Sequence, residues 1–131
     1  MKVLSLKEPY ATLIMKGIKT IETRSWKTNY RGELYIHASM SNVPKMYFEK
    51  EGLKELIENL EMHYGNIICK GQLVDCIEMD ESYIEEMKSL HPIEYCCGAY
   101  EVGRYAWVLE NIEVIEPIKA KGKLGIWNYI D

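Results

Sequence analysis

The apolar positions of this chain change period repeatedly, and neither period is held for long. Val3-Leu4-Ser5-Leu6 reads as a short strand, after which Tyr10, Leu13, Ile14 and Gly17 follow the i, i+3, i+4, i+7 spacing of one helix face. Pro9 stands at the first helical position, where a missing N–H costs nothing, and Gly17 suits the left-handed residue that ends a helix. From Thr20 to Trp26 the period returns to two, with Thr20, Glu22, Arg24 and Trp26 on one face and Ile21 and Thr23 on the other. Tyr30-Arg31-Gly32 is a turn signal into a second such strand, where Leu34, Ile36 and Ala38 alternate with Tyr35, His37 and Ser39. A helical pattern from Pro44 to Tyr64, broken near Gly52, carries Leu53, Leu56, Ile57 and Leu60 as its apolar stripe. Ile67 to Met79 predicts a long strand with a bulge or bend at Gly71, and Ser82 to Leu90 a short acidic helix. The stretch from His91 to Gly103 reads as loop, Tyr105 to Ile115 as a strand that ends at Pro117, and Leu124 to Ile130 as a final short strand or helical turn.

Strands and helices mixed in this way, without regular β-α-β alternation, predict an α+β fold. The expected form is a small, partly open β-barrel of five to six strands with helices inserted in the connections. The chain of 131 residues shows no internal repeat or linker, so residues 1–131 are expected to form one domain, with a monomer as the base-rate expectation. No apolar run approaches the ~18 residues that cross a bilayer, and Met1-Lys2-Val3 leads into a strand pattern rather than a signal peptide. Four cysteines (Cys69, Cys76, Cys96, Cys97) make no disulfide framework and no C-x2-C pair, which points to a reducing cytoplasm. Cys69 and Cys76, an odd number of residues apart, should face opposite sides of their strand. His91, Cys96 and Cys97 lack paired metal-ligand spacing, so no metal is expected. No phosphate-cradling glycine loop, nucleophile elbow or dinucleotide fingerprint is present, so no cofactor is expected either.

The net charge of −4 hides an uneven distribution. Lys16, Lys19, Arg24, Lys27 and Arg31 face the single Glu22 between residues 16 and 31, and Lys119, Lys121 and Lys123 repeat the sign near the end. Met46 to Glu94 carries twelve carboxylates and four basic groups. Such a molecule can hold an anion locally while repelling polyanions elsewhere, and the asymmetry equally suits a solvated surface. The first basic segment is chemically mixed. Glu22, Arg24 and Trp26 should project from one strand face at about 6.6 Å intervals, with Lys19 entering that face from the preceding turn. Arg24 could hold a phosphate or carboxylate bidentately, Trp26 could stack a base, and Glu22 could orient Lys19 or carry a proton. The same residues also suit a salt-bridged, solvent-facing edge. Around them, Ser5 and His37 could line the same cleft or serve as packing and wall residues, and Tyr10 could offer a second stacking surface or belong to the core. Arg31 reads as a turn arginine. Lys121 and Lys123 read either as an extended electrostatic track for a phosphate backbone or as a solvated turn. Asp75, Glu78 and Asp80 are available as more distant carboxylates.

Several ordered blocks resemble the ASCH domain family. They are Leu4-Ser5-Leu6, Pro9-Tyr10-Ala11, Gly17-x-Lys19-x-x-Glu22-x-Arg24-Ser25-Trp26, Arg31-Gly32-x-Leu34-x-Ile36-His37-Ala38 and Gly125-Ile126-Trp127. That family belongs to the PUA-like superfamily, and the resemblance implies its β-barrel with inserted helices. It also implies a nucleic-acid or nucleotide-related role. Members include RNA-binding modules and parts of transcriptional coactivators, and some small ones are hydrolases of RNA or of acetylated cytidine. By that match Lys19, Glu22, Arg24 and Trp26 become cleft residues. In the amidohydrolase branch a threonine three positions after the lysine is the proposed nucleophile, whereas this chain has Glu22. A carboxylate cannot replace a lysine-activated hydroxyl in forming an ester intermediate, and glutamate here aligns the chain with the coactivator-type branch.

Three functions follow as expectations. The first is a binding module for RNA or a nucleotide, with phosphate on the basic groups and a base on Trp26 or Tyr10. The second is a hydrolase of ribonuclease or amidohydrolase type, with Lys19 and Glu22 as a catalytic, proton-handling pair. The third is a protein-interaction domain whose basic patch meets an acidic partner. Neither membrane nor metal enters any of them.

Overall fold

The computed structural model describes residues 1–42 and 49–130. In chain order these form β1 (Lys2–Glu8), α1 (Tyr10–Met15), β2 (Ile21–Arg24), β3 (Gly32–Asn42) and α2 (Leu53–Ile57). There follow β4 (Asn66–Glu78), α3 (Glu81–Leu90), α4 (Pro92–Cys96), β5 (Tyr105–Lys119) and β6 (Ile126–Asn128). The six strands make one sheet in the order β2-β5-β4-β3-β1-β6. Only β1 and β3 pair in parallel. This is the α+β architecture expected of a small PUA-like domain, although the sheet is not closed: β2 and β6 remain its edges.

Alternation decides what the sheet encloses. Leu4 and Leu6 of β1, Leu34, Ile36 and Ala38 of β3, and Trp107 and Leu109 of β5 share one core. Helix α1 contacts β1, β3, β4 and β5 and contributes Ala11 and Ile14 to the same cluster, so it fills the concave side of the sheet. Glu8 has the inward parity of Leu4 and Leu6 and is fully buried. Its carboxylate is satisfied there, accepting from Thr12 N and His63 N, each at 2.8 Å, and from the Thr12 hydroxyl. Three donors to one buried carboxylate offset its loss of water. Gly17 ends α1 at φ +76, the left-handed conformation that glycine adopts without strain.

Four expectations change. The strand predicted to stop at Pro117 runs on to Lys119. Between the pairs Cys69↔Val114 and Ile67↔Ile118 the ladder breaks, and Pro117 lies in that break, where no strand hydrogen bond is lost for want of its N–H. The stretch read as loop contains α4, which begins with Pro92 at a position that suits proline. Cys76 packs against the same core as Cys69 instead of facing away, because the register shift between Leu73 and Asp75 moves the alternation by one residue. Of the helical pattern expected from Pro44 to Tyr64, residues 43–48 lie outside the described residues. The second piece forms only over Leu53–Ile57, with Leu53 buried against Leu13. Gly71 sits at a bulge as expected, and a Cβ there would come within 2.6 Å of Ile112 Cδ1.

Candidate functional site

Strand β2 is short, and the turn before it is held from outside. Glu94 of α4 accepts from Ile21 N at 2.8 Å, Thr20 N at 2.9 Å and the Thr20 hydroxyl at 3.2 Å. That clamp delivers Lys19 into the interior, where it is 1% exposed. Its Nζ donates to Cys97 O at 2.6 Å, lies 3.6 Å from Glu22 Oε1 and stands 5.5 Å from the centre of the Tyr10 ring. Glu22 Oε2 meets Arg24 Nε at 3.0 Å, and Arg24 in turn donates through Nη2 to Ser5 O at 2.8 Å. Glu22 is directly opposite Trp107 on β5, so this charged row lies on the inner face of the sheet.

The Arg24–Ser5 bond explains where the row opens. Strand β6 pairs with β1 only as far as Leu4, which leaves that edge of β1 from Ser5 onward without a strand partner among the described residues. In the sheet order β2 lies at one end and β1 near the other, yet a guanidinium spans from one to the other. The sheet therefore curls, and its seam is bridged by a side chain instead of a backbone ladder. Trp26 lies two residues beyond the end of β2, off the strand on which it was expected, and is 38% exposed. Its ring meets Trp107 edge-on at 4.7 Å between centroids, and Trp107 Nε1 donates to Trp26 O at 3.2 Å. One indole is thus locked in the core and fixes a second that faces outward.

Of the predicted residues, the structure joins Lys19, Glu22, Arg24 and Ser5 in one chain of contacts and places Tyr10 beside Lys19. His37 belongs to a neighbouring cluster. It is 1% exposed, its Nε2 lies 2.8 Å from Ala120 O and its Nδ1 2.9 Å from Ser5 Oγ. A carbonyl only accepts, so Nε2 carries hydrogen, and in the neutral ring Nδ1 accepts from the Ser5 hydroxyl. Trp127 Nε1 donates to the same Ser5 oxygen at 3.0 Å. Arg31 donates to Thr28 O and Tyr30 O, as a turn arginine should. The distant carboxylates have other partners: Asp80 caps α3, Glu78 accepts from the Tyr105 hydroxyl, and Asp75 accepts from Cys76 N. Among the described residues no three His, Cys, Asp or Glu side chains converge as metal ligands, and no helix is long and apolar enough to cross a membrane.

Sequence reading missed Lys50, whose Nζ donates to Gly98 O at 2.9 Å, next to the carbonyl that Lys19 takes. Burial holds the Lys50 ammonium below the usual lysine range, and Lys19 pushes the same way. Two lysines thus brace the 97–98 turn. The Tyr100 hydroxyl, buried and without a hydrogen-bond partner among the described residues, lies near the same turn, and burial pushes its phenol well above the ordinary range. Nothing in the spacing of these residues along the chain links them.

The profile of the ASCH domain matches residues 4–119. The chain belongs to the ASCH domain family. Activating signal cointegrator 1 of Homo sapiens is 32% identical to this ASCH domain over 77 residues, which is 58% of this chain and 13% of that protein. The Mus musculus protein of the same name matches with the same identity and coverage. The chain thus spans a small part of the length of these relatives.

Proposed function

We propose that this ASCH domain binds RNA or a nucleotide at the seam between β1 and β2. The observation that carries the reading is the outward-facing indole of Trp26, fixed by Trp107 and two residues after Arg24, whose guanidinium bridges to Ser5 at the seam. A base can stack on the first while a phosphate approaches the second. In this reading Lys19 and Glu22 are positioning residues: Lys19 is too deep to meet a ligand, and Glu22 passes its hold on to Arg24. The Gly-x-Lys-x-x-Glu-x-Arg-Ser-Trp pattern then marks a coactivator-type binder, in keeping with the name of the cointegrator relatives. Binding is favoured over hydrolysis because Lys19 and Glu22 are both buried and committed to structural partners, Lys19 to Cys97 O and Glu22 to Lys19 and Arg24. It is favoured over an acidic protein partner because an exposed tryptophan on the segment that carries Arg24 suits a base and its phosphate more closely than it suits carboxylates alone.

The test is fluorescence anisotropy of labelled single-stranded RNA at low and near-physiological salt, with wild type and Trp26→Ala. Loss of one base stack, about 1–3 kcal/mol, weakens affinity roughly fivefold to 150-fold. The fold should stay intact, since half-exposed Trp26 contributes little to the core. Absence of wild-type binding at either salt would sink the oligonucleotide reading and direct the search to free modified nucleosides and to turnover.

A further inference from the structure

The β5–β6 turn carries Lys121 and Lys123, just after Lys119 at the end of β5, and it is pinned. Ala120 N donates to Gly65 O at 3.0 Å, and Ala120 O accepts from His37 Nε2 at 2.8 Å. Gly122 lies so close on the sheet that a Cβ there would stand 2.9 Å from both Ser5 Oγ and His37 Cε1. Ser5 is the residue whose carbonyl receives Arg24. The turn therefore adjoins the seam, with a single residue of β1 between its backbone and the guanidinium. Lys121 and Lys123 flank Gly122, are exposed, and have no ion-pair partner among the described residues. Together with Trp127, Asn128 and Tyr129 they line a cavity of about 260 Å³.

We propose that this turn binds phosphates of the strand on either side of the nucleotide held at the seam, which makes the ligand a single-stranded oligonucleotide and not a free nucleoside. The inference rests on the RNA-binding reading above. A chain of net charge −4 repels a polyanion except where cations are gathered and uncompensated, and this turn is such a place. Lysines on a turn clamped by His37, Gly65 and Ser5 reach a phosphate with little further ordering of the backbone. Phosphate contacts of this kind set register without reading sequence, while Trp26 requires a base that is free to leave its stack.

The probes are a labelled mixed-sequence single-stranded RNA of 12 nucleotides and a labelled nucleoside monophosphate, titrated against wild type and the double variant Lys121→Gln/Lys123→Gln. Removing two phosphate contacts from a single strand lowers the slope of log affinity against log salt by about 1.4, at ~0.7 per contact. The 12-mer should weaken several-fold at low salt, and monophosphate binding should stay as in wild type. A control variant, Lys70→Gln/Lys88→Gln, removes the same charge elsewhere and should leave the slope unchanged. If wild type binds the 12-mer and the turn variant keeps both affinity and slope, the turn is not part of the track and the proposal falls alone. An equal loss in the control variant assigns the effect to overall charge and also overturns it. If wild type binds no RNA, the functional reading and this inference fall together.

Discussion

Lys19 shows how one residue can have a different role from the one its position along the chain suggests. In the sequence it reads as a cleft residue, one of the basic groups for a phosphate or half of a proton-handling pair with Glu22, yet it is 1% exposed and spends its donors on Cys97 O and Glu22. A buried ion pair contributes little when intact but is costly to break, because the remaining charge has no water. Lys19→Met should therefore destabilise the fold by about 3–5 kcal/mol. Adding Glu22→Gln should then cost less than it does in wild type, since the carboxylate has already lost Lys19 and keeps only Arg24. Chemical denaturation of the two singles and the double checks this; additive losses would mean that the pair is not coupled. The same argument makes Trp26 the better probe of ligand binding, because a Lys19 variant that fails to bind could simply be unfolded.

Between elements, the decisive contact is the Glu94 clamp on the turn before β2. Strand β2 has only four residues and pairs with one neighbour, so its own ladder to β5 is a weak anchor. Hydrogen bonds from backbone amides to a charged acceptor contribute about 1.5–3 kcal/mol each. Glu94→Ala should free the Thr20 and Ile21 amides, and hydrogen exchange at those two positions should accelerate far more than at β3 or β4. Uniform acceleration over the whole sheet would show global destabilisation and refute a local clamp. On the proposed reading RNA affinity should fall in parallel, because Arg24 ends β2 and Trp26 follows two residues later. The Arg24 bridge to Ser5 belongs to the same scale: it joins two strands that no ladder connects, and it shapes the seam from side-chain chemistry.

For the molecule as a whole, burial sets a limit on the alkaline side. Burial, helped by the Glu8 carboxylate, raises the Cys69 thiol from 9.0 to about 12, and burial with the neighbouring Cys96 raises Cys97 likewise to about 12. The Tyr83 and Tyr100 phenols are raised too, again chiefly by burial. A group whose pKa is higher in the folded state keeps a proton that the unfolded chain loses. Its contribution to stability is whole below the unfolded pKa of 9.0 and declines as pH rises toward about 12. Thermal melts should thus hold steady up to the range of an ordinary thiol and fall progressively above it. A melting temperature flat to about pH 10.5 would contradict this.

The sequence alone determined the local order of the molecule. Period-two and helical spacing, Gly17 and the turn at Tyr30-Arg31-Gly32 all placed elements where they occur, because these signals act over a few residues. The blocks from Leu4 to Ala38 pointed to the ASCH family before any contact was known, and the same-face reading of Lys19, Glu22 and Arg24 corresponds to ion pairs at 3.6 and 3.0 Å. Tertiary structure decided the rest. Which end of that row meets solvent depends on the Cys97 carbonyl, the Glu94 clamp and the curl of the sheet, all of them made by residues remote in the chain. Bulges in β4 reversed the side on which Cys76 packs, and one cannot count parity through a bulge without knowing its partner strand. Lys50 and the pinned Gly122 turn left no pattern in the sequence, because burial and close approach are properties of the assembled core and not of neighbours along the chain.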